Sequence, residues 1–154
     1  YESLSQLPTP IHLHDIHEGQ WVTPLPQTPA IQLDQSLPLC IYTYYNLDPM
    51  WRKDEACQRV LLLEPSVFKT YSIGQRPLDF MLSLAQNIDD IQIYVGEFSE
   101  LTEGFKNTIY FKEHPLNTHF KGLQDQRDWL TSVQGYYPSF FAFWKRAKKE
   151  LNIK

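Results

Sequence analysis

Four apolar runs, IYTYYNLD, VLLLEP, IQIYVGEF and IYFKEHP, fall between residues 41 and 115, and each ends in an acidic residue. Short continuous apolar runs bounded by turn-forming residues read as strands buried on both faces, which is the habit of a parallel sheet. They predict strands from Pro38 to about residue 45, at 60–63, at 91–95 and at 108–111. Between them the pattern shifts toward a helical period. Asp48 followed by Pro49 supplies an N-cap and a proline at the first helical position, predicting a short helix through Cys57. Ser72 and Gln75 form an S-x-x-Q capping box that opens the next helix, with Pro77 tolerated in its first turn. Leu78, Met81, Leu82, Ala85 and Ile88 share one face of that helix, opposite Asp79, Ser83, Gln86 and Asn87. A single helical turn is expected at 99–103 and a helix near 124–130. The last helix starts near Pro138, with Phe140, Phe143, Trp144, Ala147 and Leu151 on a core-facing stripe and Lys145, Arg146, Lys148 and Lys149 outside it.

Strand alternating with helix implies right-handed crossovers. The expected fold is α/β, a Rossmann-like three-layer domain around a mostly parallel sheet of four to five strands. In such folds ligands bind beyond the carboxyl ends of the strands. Asp48, Glu64, Glu97 and Glu113, with Asn46 and His114 beside them, are therefore the candidate ligand or chromophore rim. Solvated strand ends carrying Glu are common, so the coincidence of the four acids carries more weight than any one of them.

Ahead of this pattern, Pro8, Pro10, Pro24, Pro26, Pro29 and Pro38 punctuate a polar stretch with no helical or strand period. Residues 1–38 read as a proline-rich linker or wrapping arm from a preceding domain, and 39–154 as the α/β domain. Ile11, Leu13, Trp21, Val22 and Ile31 can pack on that domain, and Trp21 is expected to be docked. The opening at Tyr1, without an initiator methionine, reads as a piece of a longer polypeptide, with tag removal or signal cleavage as the other readings.

A chain of 154 residues suits one domain, because that length buries roughly 70% of the unfolded surface. Net charge of −4 gives no general attraction for phosphate backbones, and only the end of the chain supplies a basic patch. Cys40 and Cys57 look like core filling rather than a disulfide framework, which fits a reducing compartment. No stretch approaches the roughly 20 apolar residues of a membrane span, and the start has no basic-then-apolar leader. A cytoplasmic location is expected.

Several chemistries are poorly served by these residues. A dinucleotide site needs G-x-G-x-x-G after the first strand so that pyrophosphate can reach the helix N-terminus, and here that turn reads YYNLDPMW. Glu64 does hold the place of a ribose-binding acid, but no Walker-type loop is present either, so an ordinary NAD or ATP site is not expected. His12, His14 and His17 are close enough to share a metal but lie in a segment without fixed geometry, and no metal set is assigned. Glu113, His114 and His119 are better anchored. His114 can serve as a general base near neutral pH, though no nucleophile sits in a recognisable elbow, and hydrogen bonding that orders its loop is the stronger reading. In GYYPSFFAFWKRAKK, which follows Arg127, Asp128 and Trp129, dense aromatics stand beside basic charge. Helical spacing sends Phe140, Phe143 and Trp144 to the core, leaving Tyr136 and Phe141, together with Trp51, as candidates for docking on a neighbouring domain.

The order of RVLLLEPS, PLDFMLSLAQNI, IQIYVGEF, IYFKEHP, RDW and GYYPSFFAFWK resembles the α/β domain that follows the FAD-binding domain in some bacterial photolyase/cryptochrome-like flavoproteins. It is also similar in layout to the antenna domain that usually precedes the FAD domain in photolyases. The resemblance covers residues 39–151 and implies a Rossmann-like, antenna-like or scaffold domain of a light-driven DNA-repair lyase or a related photoreceptor. It further implies that FAD lies in a helical domain of the same polypeptide, that DNA is met only through the full-length protein, and that no membrane is involved. An isolated domain of this kind neither binds FAD tightly nor repairs DNA, although an accessory antenna chromophore at the rim remains an expectation. The FRxDLR signature of ordinary photolyases is replaced here by YYNLDPMWRKDEA. Two other readings stand beside it: a metal-dependent hydrolase using Glu64, Glu97, Glu113 and His114, and a ligand-free interaction module.

Overall fold

The computed structural model describes residues 22–127 and 129–152. His12, His14, His17, Trp21 and Asp128 lie outside the described residues. In chain order the elements are β1 (Leu39–Tyr42), β2 (Gln58–Leu63), α1 (Pro65–Thr70), α2 (Gln75–Ala85), β3 (Ile91–Val95), α3 (Phe98–Leu101), β4 (Ile109–Lys112), β5 (Leu123–Asp125) and α4 (Phe140–Glu150). The five strands form one sheet in the order β3-β2-β1-β4-β5, and every neighbouring pair is parallel. This is the α/β, Rossmann-like architecture expected from the runs.

Alternation along each strand divides the core into two layers. Cys40, Tyr42, Leu61 and Leu63 face one side, where they meet Leu78, Met81 and Ala85 of α2 together with Phe68 of α1. Leu39, Ile41, Val60, Leu62 and Phe111 face the other, against Phe98 and Leu101 of α3 and Phe120. The central strand β1 is completely buried. At about 25 cal/mol per Å² of apolar surface removed from water, these two layers are the main source of the domain's stability.

The described part of the proline-rich arm wraps the domain. Thr23 is buried and its Oγ1 accepts the Ile73 N–H at 2.9 Å. Leu25 packs on the α2-side core, and Ile31 and Leu33 on the α3-side core. Between them Thr28 Oγ1 accepts the Val95 N–H from the end of β3 at 3.2 Å. The arm thus crosses from one face of the sheet to the other past an edge strand that would otherwise offer unpaired backbone groups. Ile31 packs as expected, whereas Val22 is exposed.

Four local expectations differ from what forms. Residues 49–57 make turns rather than a helix. Asp48 Oδ1 does accept the Met50 N–H at 2.8 Å, but Arg52 takes φ 51°, and Trp51, Lys53 and Glu55 each donate to a carbonyl only three residues back. The expected helix near 124–130 is instead β5, which pairs with β4. Gly122, at φ +150°, lets the chain enter β5 where a Cβ would meet the Ile109 carbonyl at 2.5 Å. Third, α2 begins one residue after Gly74, with no side-chain cap from Ser72. Its apolar face is as expected. Fourth, α1 is an additional helix, with Glu64 as N-cap and Pro65 at the first position.

Candidate functional site

The strand order reverses between β1 and β4, so the crevice beyond their carboxyl ends is the topological switch point of this sheet. The chain leaves β1 into a tight turn in which the Asn46 N–H donates to the Thr43 carbonyl at 2.9 Å. That turn places Tyr44 and Tyr45 over the rim. From β4 the chain passes through Glu113 and His114 into a one-turn 3₁₀ segment, Pro115–Asn117, closed by a capping box. His114 Nδ1 accepts the Leu116 N–H at 3.2 Å, and Asn117 Oδ1 accepts the His114 N–H at 3.0 Å. Tyr45 stacks on His114 with ring centroids 4.2 Å apart and planes 8° from parallel.

The stacked pair divides the crevice. On the inner side lies a slot of about 30 Å³, walled by Tyr44, Leu62, Phe68, Tyr71, Ile73 and Phe120. A water needs about 10–15 Å³ by the same measure, so the slot as it stands holds water-sized occupants and no ring. On the outer side is a polar depression of about 240 Å³, lined by Tyr45, Asn46, Asp48, Lys112, Glu113, His114 and Arg127. Asn46 Nδ2 is buried there and has no hydrogen-bond partner among the described residues. Arg127 Nη2 stands 3.7 Å from Glu113 Oε1. Burial first, and the Arg127 charge second, hold the His114 imidazole below its usual pKa. A neutral ring with Nδ1 already accepting a backbone N–H orders its loop, as the stronger of its two readings had it.

The four strand-end acids do not converge on one ligand position. Glu64 is buried and accepts the Phe98 N–H at 3.0 Å, and His119 Nε2 lies 2.9 Å from the same oxygen. Glu97 caps α3 in a reciprocal box with Glu100, while its carboxylate also accepts the Ser66 N–H at 2.9 Å and the Ser66 hydroxyl at 2.7 Å. Both acids thereby tie α3 to the start of α1. Asp48 accepts from Met50 within its own turn. Of the four, Asp48 and Glu113 border the depression, together with Asn46 and His114. His119 belongs with Glu64, away from His114.

Trp51 does not offer a docking surface. It is 6% exposed, packs edge-on against Tyr42 at 4.8 Å, and donates its indole N–H to Asp125 Oδ2 at 2.8 Å. Arg52 reaches the same carboxylate with Nε at 2.8 Å and Nη2 at 3.0 Å, and covers the Tyr110 ring at 3.6 Å. The bidentate Arg52 contact holds the Asp125 carboxyl below the ordinary carboxylate range, and the Trp51 N–H adds to it. This latch fastens the β1–β2 connection to the edge strand β5. Sequence spacing gives no hint of it, because the partners are more than seventy residues apart.

The α4 stripe divides differently from the helical-spacing expectation. Ala147 is buried and Phe143 and Leu151 are half-buried, but Phe140 is 66% exposed and Trp144 keeps 38% of its surface in solvent. The two rings stack on each other at 6.3 Å. Phe141 at 79% and Tyr136 at 91% are exposed as expected. An aromatic face thus runs along the start of α4, with Lys145, Arg146 and Lys149 exposed further along.

Among the described residues no group of three His, Cys, Asp or Glu side chains stands close enough to hold a metal ion, and no described helix is long and apolar enough to cross a membrane. No protein-family model, no curated protein and no solved structure matches the chain.

Proposed function

We propose that this chain is the α/β domain of a photolyase/cryptochrome-related flavoprotein, serving as an antenna-like or scaffold platform for an FAD-binding helical domain of the same polypeptide. The parent protein acts on DNA through that helical domain, in light-driven repair or in photoreception. The single observation that carries the reading is the switch-point crevice, where the Tyr45–His114 stack stands between an aromatic slot and an open polar depression. Parting those two rings would join the spaces into one site for a flat conjugated ligand, with aromatic walls inside and hydrogen-bonding groups outside. The exposed Tyr136, Phe140 and Phe141 support the platform role, since apolar patches of this kind mark interaction surfaces.

The hydrolase reading fares worse. Glu64 and Glu97 are committed to backbone N–H groups and to Ser66, so neither is free to ligate a metal without loosening α3. A ligand-free interaction module shares the α4 face and differs only at the crevice.

The test is an absorption and fluorescence spectrum of the natively purified longer polypeptide and of this chain, with released small molecules identified by mass spectrometry. Flavin in the longer polypeptide and a second chromophore on this chain is the antenna outcome. Flavin there and a colourless chain is the scaffold outcome. Absence of flavin from both overturns the proposal.

A further inference from the structure

Cys40 and Cys57 are both free thiols, and their sulfurs are in contact at 3.0 Å. Cys40 is fully buried in the middle of the sheet, whereas Cys57, immediately before β2, is half-buried. Core filling does not require two sulfurs to touch. Sulfur is soft and adaptable, and either thiol would pack as well against Leu61 or Ala85 of the same core. The contact brings together two residues seventeen apart across the β1–β2 connection, and that connection carries Tyr44, Tyr45, Asn46 and Asp48 to the rim. Closing the pair needs the sulfurs to approach by only about 1 Å, to the roughly 2.05 Å of a disulfide.

We infer that Cys40 and Cys57 form a redox-active pair, in which a hydroperoxide oxidises Cys57 and Cys40 resolves it to an internal disulfide that clasps the β1–β2 connection. Cys57 meets the oxidant because it is the more exposed of the two residues. Its thiolate attacks one peroxide oxygen, so that an S–O bond forms as the O–O bond breaks, and the departing oxygen leaves as alcohol or water after taking a proton. Cys57 is then a sulfenic acid. Cys40, giving up its proton, attacks the Cys57 sulfur: the S–S bond forms, the S–O bond breaks, and the hydroxyl leaves with that proton as water. Two thiols and one hydroperoxide thus become one disulfide, one alcohol and one water, with two electrons passed to the peroxide. Burial first, and the neighbouring Cys57 sulfur second, push the Cys40 thiol well above its ordinary pKa, and the Arg52 and Arg59 charges offset part of that shift, so Cys40 gives up its proton only as it attacks the oxidised Cys57. Arg59 is itself fixed at the mouth of the connection, donating to the carbonyls of Arg52 at 2.9 Å and Lys53 at 3.1 Å.

The experiment is titration of the whole chain with hydrogen peroxide, followed by denaturation, alkylation of remaining thiols and intact mass measurement. Expected is loss of both alkylatable thiols together at one equivalent of peroxide, a Cys40–Cys57 linked peptide in the non-reducing digest, a monomer in solution, and full recovery with dithiothreitol. The oxidised form should melt higher by on the order of 5 °C, since cross-linking a loop of this size restricts the unfolded chain. Cys40→Ala leaves Cys57 without a resolving partner and should accumulate a sulfenic acid that dimedone traps. Cys57→Ser should leave a single thiol that resists peroxide, and because Cys57 is half-buried this variant tests the idea should Cys40→Ala fold poorly. Persistence of both thiols at excess peroxide, over-oxidation of wild-type Cys57 to sulfinic acid, or disulfides only between chains would each overturn the inference.

Discussion

Glu64 and Glu113 follow two strands of one sheet, each at the end of an apolar run, and they end in opposite circumstances. Glu64 is buried, with one oxygen shared by the Phe98 N–H and His119. Glu113 is about a third exposed, and among the described residues its carboxylate stands 3.7 Å from Arg127. The same contrast separates the whole rim. Beyond β2 and β3, Glu64 and Glu97 close the starts of α1 and α3, whose first backbone N–H groups have no partner within the helix. Beyond β1 and β4 the strands lead into turns, and the side chains there border open space. An acid at the carboxyl end of a parallel strand therefore has a structural occupation wherever a helix starts at once. It becomes available to a ligand only at the switch point, where none does.

The widest gap between the two halves should appear in Glu64→Ala. This removes a buried acceptor and leaves the Phe98 N–H without one, which costs about 2–3 kcal/mol. Chemical denaturation should show the loss, with the slope against denaturant unchanged. Glu64→Gln, whose amide oxygen can still accept from Phe98, should recover a good part of it. Next in size is Glu97→Ala. It breaks a capping box and the bridge to Ser66, worth about 1 kcal/mol at a partly exposed helix start. Equal and negligible effects of these two substitutions would mean that the β2–β3 half is as open as the other.

How much of this was legible in the sequence follows from what each feature depends on. Strands β1 to β4 were readable because their apolar runs carry the mark of burial, and the apolar face of α2 because of its helical period, whereas the largely exposed β5 carries no such run and was read as a helix. The prediction of an acidic rim was right about position and silent about occupation, since it could not know that Ser66 and Phe98 would present N–H groups to Glu97 and Glu64. Residues 49–57 carried good helix-start signals and still formed turns. What decides them is the pull of Asp125 on Trp51 and Arg52, a contact across more than seventy residues. Phe140 and Trp144 kept helical spacing with Ala147, but the stripe is wider than the surface it packs on, and periodicity alone does not report where that surface ends. The Cys40–Cys57 contact needed the register of β1 against β2, which places Cys40 beside Arg59, two residues beyond Cys57.

A smaller effect, on the open half, comes from pH. The His114 pKa is lowered from 6.5 in the fold, so between that lowered value and about 6.5 the unfolded chain binds more protons than the folded one. Stability then rises with pH through this window. The contribution is complete above about 6.5 and is lost as pH falls through the folded pKa. The physical reasons are burial of the ring first and the Arg127 charge second; protonation at Nδ1 would in addition remove the acceptor of the Leu116 N–H. His114→Gln, whose oxygen can take over that bond, should remove this part of the slope between pH 7 and pH 5, as read from unfolding midpoints at fixed ionic strength. An unchanged slope would show that the Tyr45–His114 stack does not keep the ring neutral.

The smallest changes in stability should come from Asn46 and Glu113, and they define the comparison most sharply. Asn46 Nδ2 is buried without a partner among the described residues, so Asn46→Ala gives up no bond seen from that atom and relieves an unmet donor. Its stability should stay within about 0.5 kcal/mol of wild type or rise. Glu113→Gln loses only a long, half-exposed ion pair and should fall in the same range. Two nearly silent substitutions beside β1 and β4, against a loss several times larger beside β2, is the pattern of a rim built shut on one side and left free on the other. A cost above about 1 kcal/mol for Asn46→Ala would mean that its amide is engaged in the folded protein. The β1–β4 half would then be as structurally committed as the Glu64 half, and the crevice would lose its claim to be the place where this fold holds a ligand.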